Sequence, residues 1–210
     1  MDVQIERVVQ RTRRYWYDDG LAEMAGGLIF LCVGLVFLAE AVLGSRGGSQ
    51  VSALGLPVVL IGGGMLSRWL LRVAKARLIY PRTGYVSYRR ARKRRALTGA
   101  LAGATAGALA AVLPLLTGSH DWLPALAGVL IGIAWAWLGH AVGVTRFYLL
   151  GVVSAAIGLV AGWTRLGEAW GGALYFGLQG LATIASGALA LRSYWLRTRP
   201  AEDDGETSTP

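Results

Sequence analysis

The chain is poor in cysteine, histidine and charge, and each shortage removes a class of chemistry. Its one cysteine, Cys32, lies within an apolar run. That leaves no internal disulfide and no cysteine-ligated metal. Its two histidines, His120 and His140, fall on opposite faces of the arrangement derived below, so each reads as an interface residue rather than half of a metal site. No Gly-x-x-x-x-Gly-Lys segment exists to grip a phosphate chain. Ser154 and Ser186 stand within apolar runs without a nucleophile signature or a candidate His–Asp pair. Charged residues make up 16% of the chain, against about 25% in ordinary globular domains. Such a chain is short of residues with which to face water.

What is present points to a bilayer. Apolar residues reach 54%, and glycine fills 30 of 210 positions, roughly twice its usual share of about 7%. Glycine-rich apolar helices suit closely packed membrane spans. A hydrocarbon core of about 30 Å asks for roughly 20 apolar residues per helix. Six runs meet that requirement, at 21–43, 51–73, 96–116, 122–142, 146–163 and 169–191. The fold class expected is an all-α integral membrane protein, a six-helix transmembrane bundle occupying 21–192. An N-terminal amphipathic interfacial helix within 1–20 and a short cytoplasmic hairpin-like loop complete it. No cleavable signal is read at the N-terminus, because polar residues continue to Asp19 before any apolar run begins.

Charge orients the bundle. The net charge is +9, which taken alone admits nucleic acid, but the cations lie between apolar runs rather than along one duplex-binding face. With the N-terminus in the cytoplasm, all Lys and Arg fall inside except Arg46 and Arg165. The positive-inside rule therefore places both termini in the cytoplasm, and losing one span would scramble the alternation. Nineteen arginines against two lysines suggest a GC-rich bacterial genome and hence the plasma membrane.

Lipid contacts are expected at that basic face. Over residues 4–17, Ile5, Val8, Val9, Thr12 and Trp16 share one helical face, with Arg7, Arg11 and Arg14 opposite. This suits a helix in the headgroup layer, with Arg11, Arg14 and Trp16 as candidate headgroup contacts. The cytoplasmic loop 74–95 has two β-prone runs around Pro81-Arg-Thr-Gly84, read as a hairpin or an irregular loop. Tyr80, Tyr85 and Tyr88 border the cluster Arg89, Arg90, Arg92, Lys93, Arg94 and Arg95. Each cation near an anionic leaflet contributes about 1 kcal/mol, so the stretch serves as headgroup contact, topogenic signal or both. The tail 193–210 ends in an acidic segment without apolar residues, expected to be disordered.

Two further features carry alternatives. Gly99, Gly103 and Gly107 form a groove at four-residue spacing, for packing within the bundle or for a homo-oligomer. Gly128 with Gly132 and Gly158 with Gly162 repeat the spacing. Asp18, Asp19 and Glu23 form an acidic group that admits a divalent metal at the membrane face. CDP-alcohol phosphatidyltransferases need Asp-Gly followed by Ala-Arg and further aspartates. Leu21, Ala22 and Glu23 follow Gly20, and the next aspartate is Asp121, so that family is excluded. The simpler reading makes Gly20 the helix N-cap with Glu23 bonding back to it. At about 12–14 Å from the centre of its span, Glu23 is expected to reach water, like Glu40. His140 with Arg146 is a possible part of an anionic headgroup pocket.

No span carries a charge at its midpoint, which argues against a carboxylate relay. Gln179, Thr105 and Thr183 are expected to bond between helices. The leading expectation is a non-enzymatic accessory or regulatory protein, working through partner proteins or anionic lipids, with no cofactor and no nucleic acid. The alternatives are a small-solute transporter or channel, and a lipid-modifying enzyme built on Asp18, Asp19 and Glu23.

Overall fold

The computed structural model describes residues 17–44, 48–78 and 120–197. Among them are five helices and no strand: α1 Leu21–Leu43, α2 Gly48–Leu78, α3 Leu123–Val142, α4 Arg146–Trp163 and α5 Gly167–Arg197. All five are long and apolar enough to cross a membrane. The run at 96–116, residues 79–95 of the loop and residues 198–210 of the tail lie outside the described residues, whereas 74–78, expected in the loop, and 193–197, expected in a disordered tail, are the ends of α2 and α5. Also outside are Arg11, Arg14, Trp16, Tyr80, Tyr85, Tyr88, Arg89 to Arg95, Gly99, Gly103 and Gly107.

Local chemistry sets the helix ends. The Asp19 carboxylate accepts the Leu21 amide at 3.1 Å, and Gly20 takes φ +67 to turn the chain into α1. Gly143, at φ +74, closes α3 by donating its amide to the Gly139 carbonyl at 2.8 Å. Glycine adopts this left-handed geometry without a Cβ penalty, and α4 begins three residues later. At about 1.5 Å per residue, the 31 residues of α5 run on the order of 46 Å. That exceeds a hydrocarbon core of about 30 Å, so the ends of α5 extend past it.

Packing rests on missing side chains. α1 and α5 run antiparallel in close approach: a Cβ on Gly27 would lie 2.8 Å from the Gly180 carbonyl oxygen, and one on Gly34 2.8 Å from the Gly177 amide. The hairpin of α3 and α4 closes the same way, with Gly128 against Gly158 and Gly132 against Gly151. Backbones this near gain dispersion contacts, which lipid on the outside cannot replace by any hydrophobic drive. α5 also packs on α4 and α3, whereas α2 packs on α1 alone among the described helices. Phe176 stacks on Phe37 and Phe30 between α1 and α5. A second apolar cluster of Val142, Val144, Phe147 and Leu150 fills the turn between α3 and α4, covered by Tyr17, Trp135 and Leu138. Leu35, Val58, Ile133, Val152 and Leu189 point outward and are exposed, as lipid-facing positions are.

Candidate functional site at the arginine end of the bundle

Three helix ends meet at one end of the bundle. The turn from Tyr17 to Gly20 and the first turn of α1 supply Glu23, α4 begins with Arg146, and α5 supplies Ser186. Arg146 donates from Nε to Glu23 Oε1 at 2.8 Å, and its Nη2 stands 2.6 Å from the same oxygen. Nη2 also bonds the Tyr17 carbonyl. Ser186 Oγ donates to the other carboxylate oxygen, Oε2, at 2.9 Å. The Arg146 guanidinium lies 5.6 Å from the centre of the Phe147 ring, and Tyr17 meets that ring edge-on at 5.5 Å.

This arrangement corrects the expectation for Glu23. Its residue exposure is 2%, so it does not reach water, and both oxygens bond to other helices rather than to the cap amide. Gly20 is the N-cap as expected, without a side-chain cap bond. Of the acidic trio, Asp19 is buried and engaged with the Leu21 amide, while Asp18 is exposed. His140 is exposed at the end of α3, and Arg146 turns to Glu23. Among the described residues, no three His, Cys, Asp or Glu side chains gather as a metal site would require.

Beside the ion pair lies a cleft of about 430 Å³, lined by Asp18, Gly143 to Arg146, Ser193, Tyr194 and Arg197. Its walls come from α5 and from the turns flanking α1 and α4. The opposite end of the bundle holds a shallower depression of about 380 Å³ with Glu40, Glu168 and Trp170 on its rim.

A row of polar groups runs along α5 from the ion pair into the bundle. Ser186 is followed by Thr183, Gln179 and Tyr175, the last three fully buried. Tyr175 Oη and Ser154 Oγ share a hydrogen bond of 2.8 Å, and Ser154 Oγ donates to the Gly128 carbonyl at 3.0 Å. Gln179 and Thr183 were expected to bond between helices and instead bond within α5. Thr183 Oγ1 donates to the Gln179 carbonyl at 2.8 Å, and Gln179 Nε2 donates to Thr183 Oγ1 at 3.4 Å. Gln179 Oε1 is buried without a partner. The spacing of this row, three residues and then four and four, was present in the sequence, where only Gln179 and Thr183 were singled out as deep polar groups. The ion pair was not legible there, because nothing local links Arg146 to a residue 123 positions earlier.

No protein family, curated protein or solved structure matches the chain.

Proposed function

We propose that this is a six-span membrane protein with both termini cytoplasmic, acting without catalysis as an accessory or regulatory component through anionic lipids or partner proteins. The bacterial plasma membrane is its proposed address. The sixth crossing has a geometric argument. α2 returns antiparallel to α1 and so ends at the Glu23 end. α3 runs antiparallel to α4, whose first residue bonds Glu23, so α3 begins at the far end. The chain between Leu78 and Leu123 joins opposite ends of the bundle, and the apolar run 96–116 is long enough to cross.

One observation carries the functional reading: the described bundle is electrically polarised. At one end Arg68, Arg72, Arg146, Arg192 and Arg197 outnumber Asp18, Asp19 and Glu23, and at the other Glu40, Asp121 and Glu168 outnumber Arg165. The cluster Arg89 to Arg95 follows α2 in sequence on the basic side, where anionic headgroups would be attracted. Support against catalysis comes from the interior polar groups, since Glu23, Ser154, Tyr175 and Ser186 are spent on one another and on structural partners.

A transport reading draws on one feature, the buried polar row with Gln179 Oε1 unpartnered. Vesicle experiments separate the two. Proteoliposomes made with anionic phosphatidylglycerol should bind the purified chain's cytoplasmic face more tightly than neutral ones, and glutamine at Arg89 to Arg95 should abolish the difference. Solute flux above the leak of empty vesicles would overturn the accessory reading.

A further inference from the structure

We infer that the open side of the α1–α2 pair is the seat of this chain's own run 96–116, with Gly99, Gly103 and Gly107 against Gly26 and Gly64. The inference rests on the six-span reading and adds where the sixth crossing sits.

The argument begins with an uncovered face. Among the described helices α2 packs on α1 alone. At about 3.6 residues per turn, Gly26 falls between two rows of α1: Gly27 and Gly34, which meet α5, and Ile29 and Val36, which meet α2. Nothing lies within 4 Å of a Cβ built on Gly26, nor of one built on Gly64 in α2. A Cβ on Gly63 would lie 3.5 Å from Ile29, and one on Gly55 3.0 Å from Val36. That antiparallel register sets Gly64 within about two residues, roughly 3 Å, of Gly26 in depth. Right-handed winding turns both glycines to the same side of the pair. Gly62, two positions from Gly64, falls on the other side. Gly26 and Gly64 are half-buried, whereas Gly62 is exposed. Phe30 and Phe37, stacked on Phe176 of α5, floor the side of Gly26. The opposite side of α1 carries Leu28, Leu35 and Val42, all exposed, and is a lipid face.

Chain length and composition name the occupant. The described chain stops at Leu78 on the Glu23 end and resumes at His120 on the far end. Residues 117–122 join the run to α3, and fully extended they reach at most about 25 Å. The crossing is thereby tied to this bundle rather than to a neighbouring one. Every residue from 96 to 110 is Ala, Gly, Leu or Thr. Such a helix offers little apolar surface to lipid but lets another backbone approach closely. Entering at Ala96 from the end where α1 enters at Leu21, equal rise sets Gly99 and Gly103 level with Met24 and Leu28. Gly26 lies between those levels.

The test uses the full chain in membranes, with Cys32→Ala as background. Gly99→Cys or Gly103→Cys is combined with Gly26→Cys, Gly64→Cys or Gly62→Cys and oxidised. Linked peptides are read by mass spectrometry in a mixture of isotope-labelled and unlabelled chains. Disulfides should form with Gly26→Cys and Gly64→Cys, within single chains, and be lost with Gly62→Cys, since the bond needs Cβ atoms about 3.5–4.5 Å apart. Links to Gly62→Cys instead, or links joining labelled to unlabelled chains, would overturn the seat, the latter in favour of a second copy. Added bulk gives an independent reading: Gly26→Leu and Gly64→Leu should lower the melting temperature and Gly62→Leu should not. Equal shifts in all three would also overturn it. A membrane-impermeant maleimide on intact cells tests the crossing itself, and should label Ser119→Cys but not Ser87→Cys. Failure there removes the six-span reading and the seat with it, whereas success there with links to Gly62→Cys removes the seat alone.

Discussion

Glu23 is a carboxylate inside an apolar helix, held by Arg146 from α4 and Ser186 from α5. Removing the cation strands the anion. Arg146→Met should therefore destabilise the chain by about 3 kcal/mol, the low end for breaking a buried pair because Arg146 is 27% exposed. Glu23→Gln retains a carbonyl oxygen to accept from Arg146, and should cost about 1 kcal/mol. The two substitutions together should cost less than Arg146→Met alone. Thermal unfolding in detergent ranks the three, and an Arg146→Met variant no weaker than Glu23→Gln would show that the pair is not stabilising. The sequence placed Glu23 near the edge of a span and inferred access to water. That inference used depth along a single helix. Depth does not encode what packs against the residue, and here α5 and the Arg146 side chain cover it.

The helices touch where side chains are smallest. A Cβ on Gly180 would meet the Leu31 amide at 2.8 Å and the Gly27 carbonyl at 2.9 Å. Backbone cannot swing aside, so Gly180→Ala should separate α1 from α5 and cost about 1–3 kcal/mol. Gly62, in α2, has nothing within 4 Å of a built Cβ. Gly62→Ala should be neutral or slightly stabilising, by up to about 1 kcal/mol of helix propensity. Melting temperatures of the two variants check this, and equal losses would contradict it. The pairing of α3 with α4 was partly legible, because Gly128, Gly132 and Gly158 stood at recognisable spacing. The seven-residue spacing of Gly20, Gly27 and Gly34, opposite Gly180 and Gly187, was there to be read and was not singled out. The bounds of α1 and α4 match the apolar runs at 21–43 and 146–163. α2 and α5 continue past their apolar runs to Leu78 and Arg197, since hydropathy marks where lipid ends and hydrogen bonding carries a helix further.

At the scale of the whole molecule, six crossings and five differ in where the ends emerge. With Cys32→Ala as background, single substitutions Ser45→Cys, Ser87→Cys and Ser208→Cys report the side of each segment. A membrane-impermeant maleimide applied to intact cells should label the first only. Labelling from outside at both Ser45→Cys and Ser208→Cys would rule out an even number of spans. The asymmetry of charge was the most legible property of the chain, because it depends on counting residues between runs and not on contacts. Which helices adjoin was legible only in part, because the glycine spacings and the polar row of α5 mark a face of a helix without naming the helix it meets.

The 123-residue separation of Glu23 from Arg146 also bears on how the chain is made. At about 5–20 residues per second of synthesis, the carboxylate precedes its counter-ion by roughly 6–25 s. Ser186 emerges later still. During that interval α1 can settle in lipid only with its acid protonated or held near the headgroups. The finished register of α1 thus waits for α4 and α5, and a chain stopped before α5 would lack the Ser186 bond to its first span.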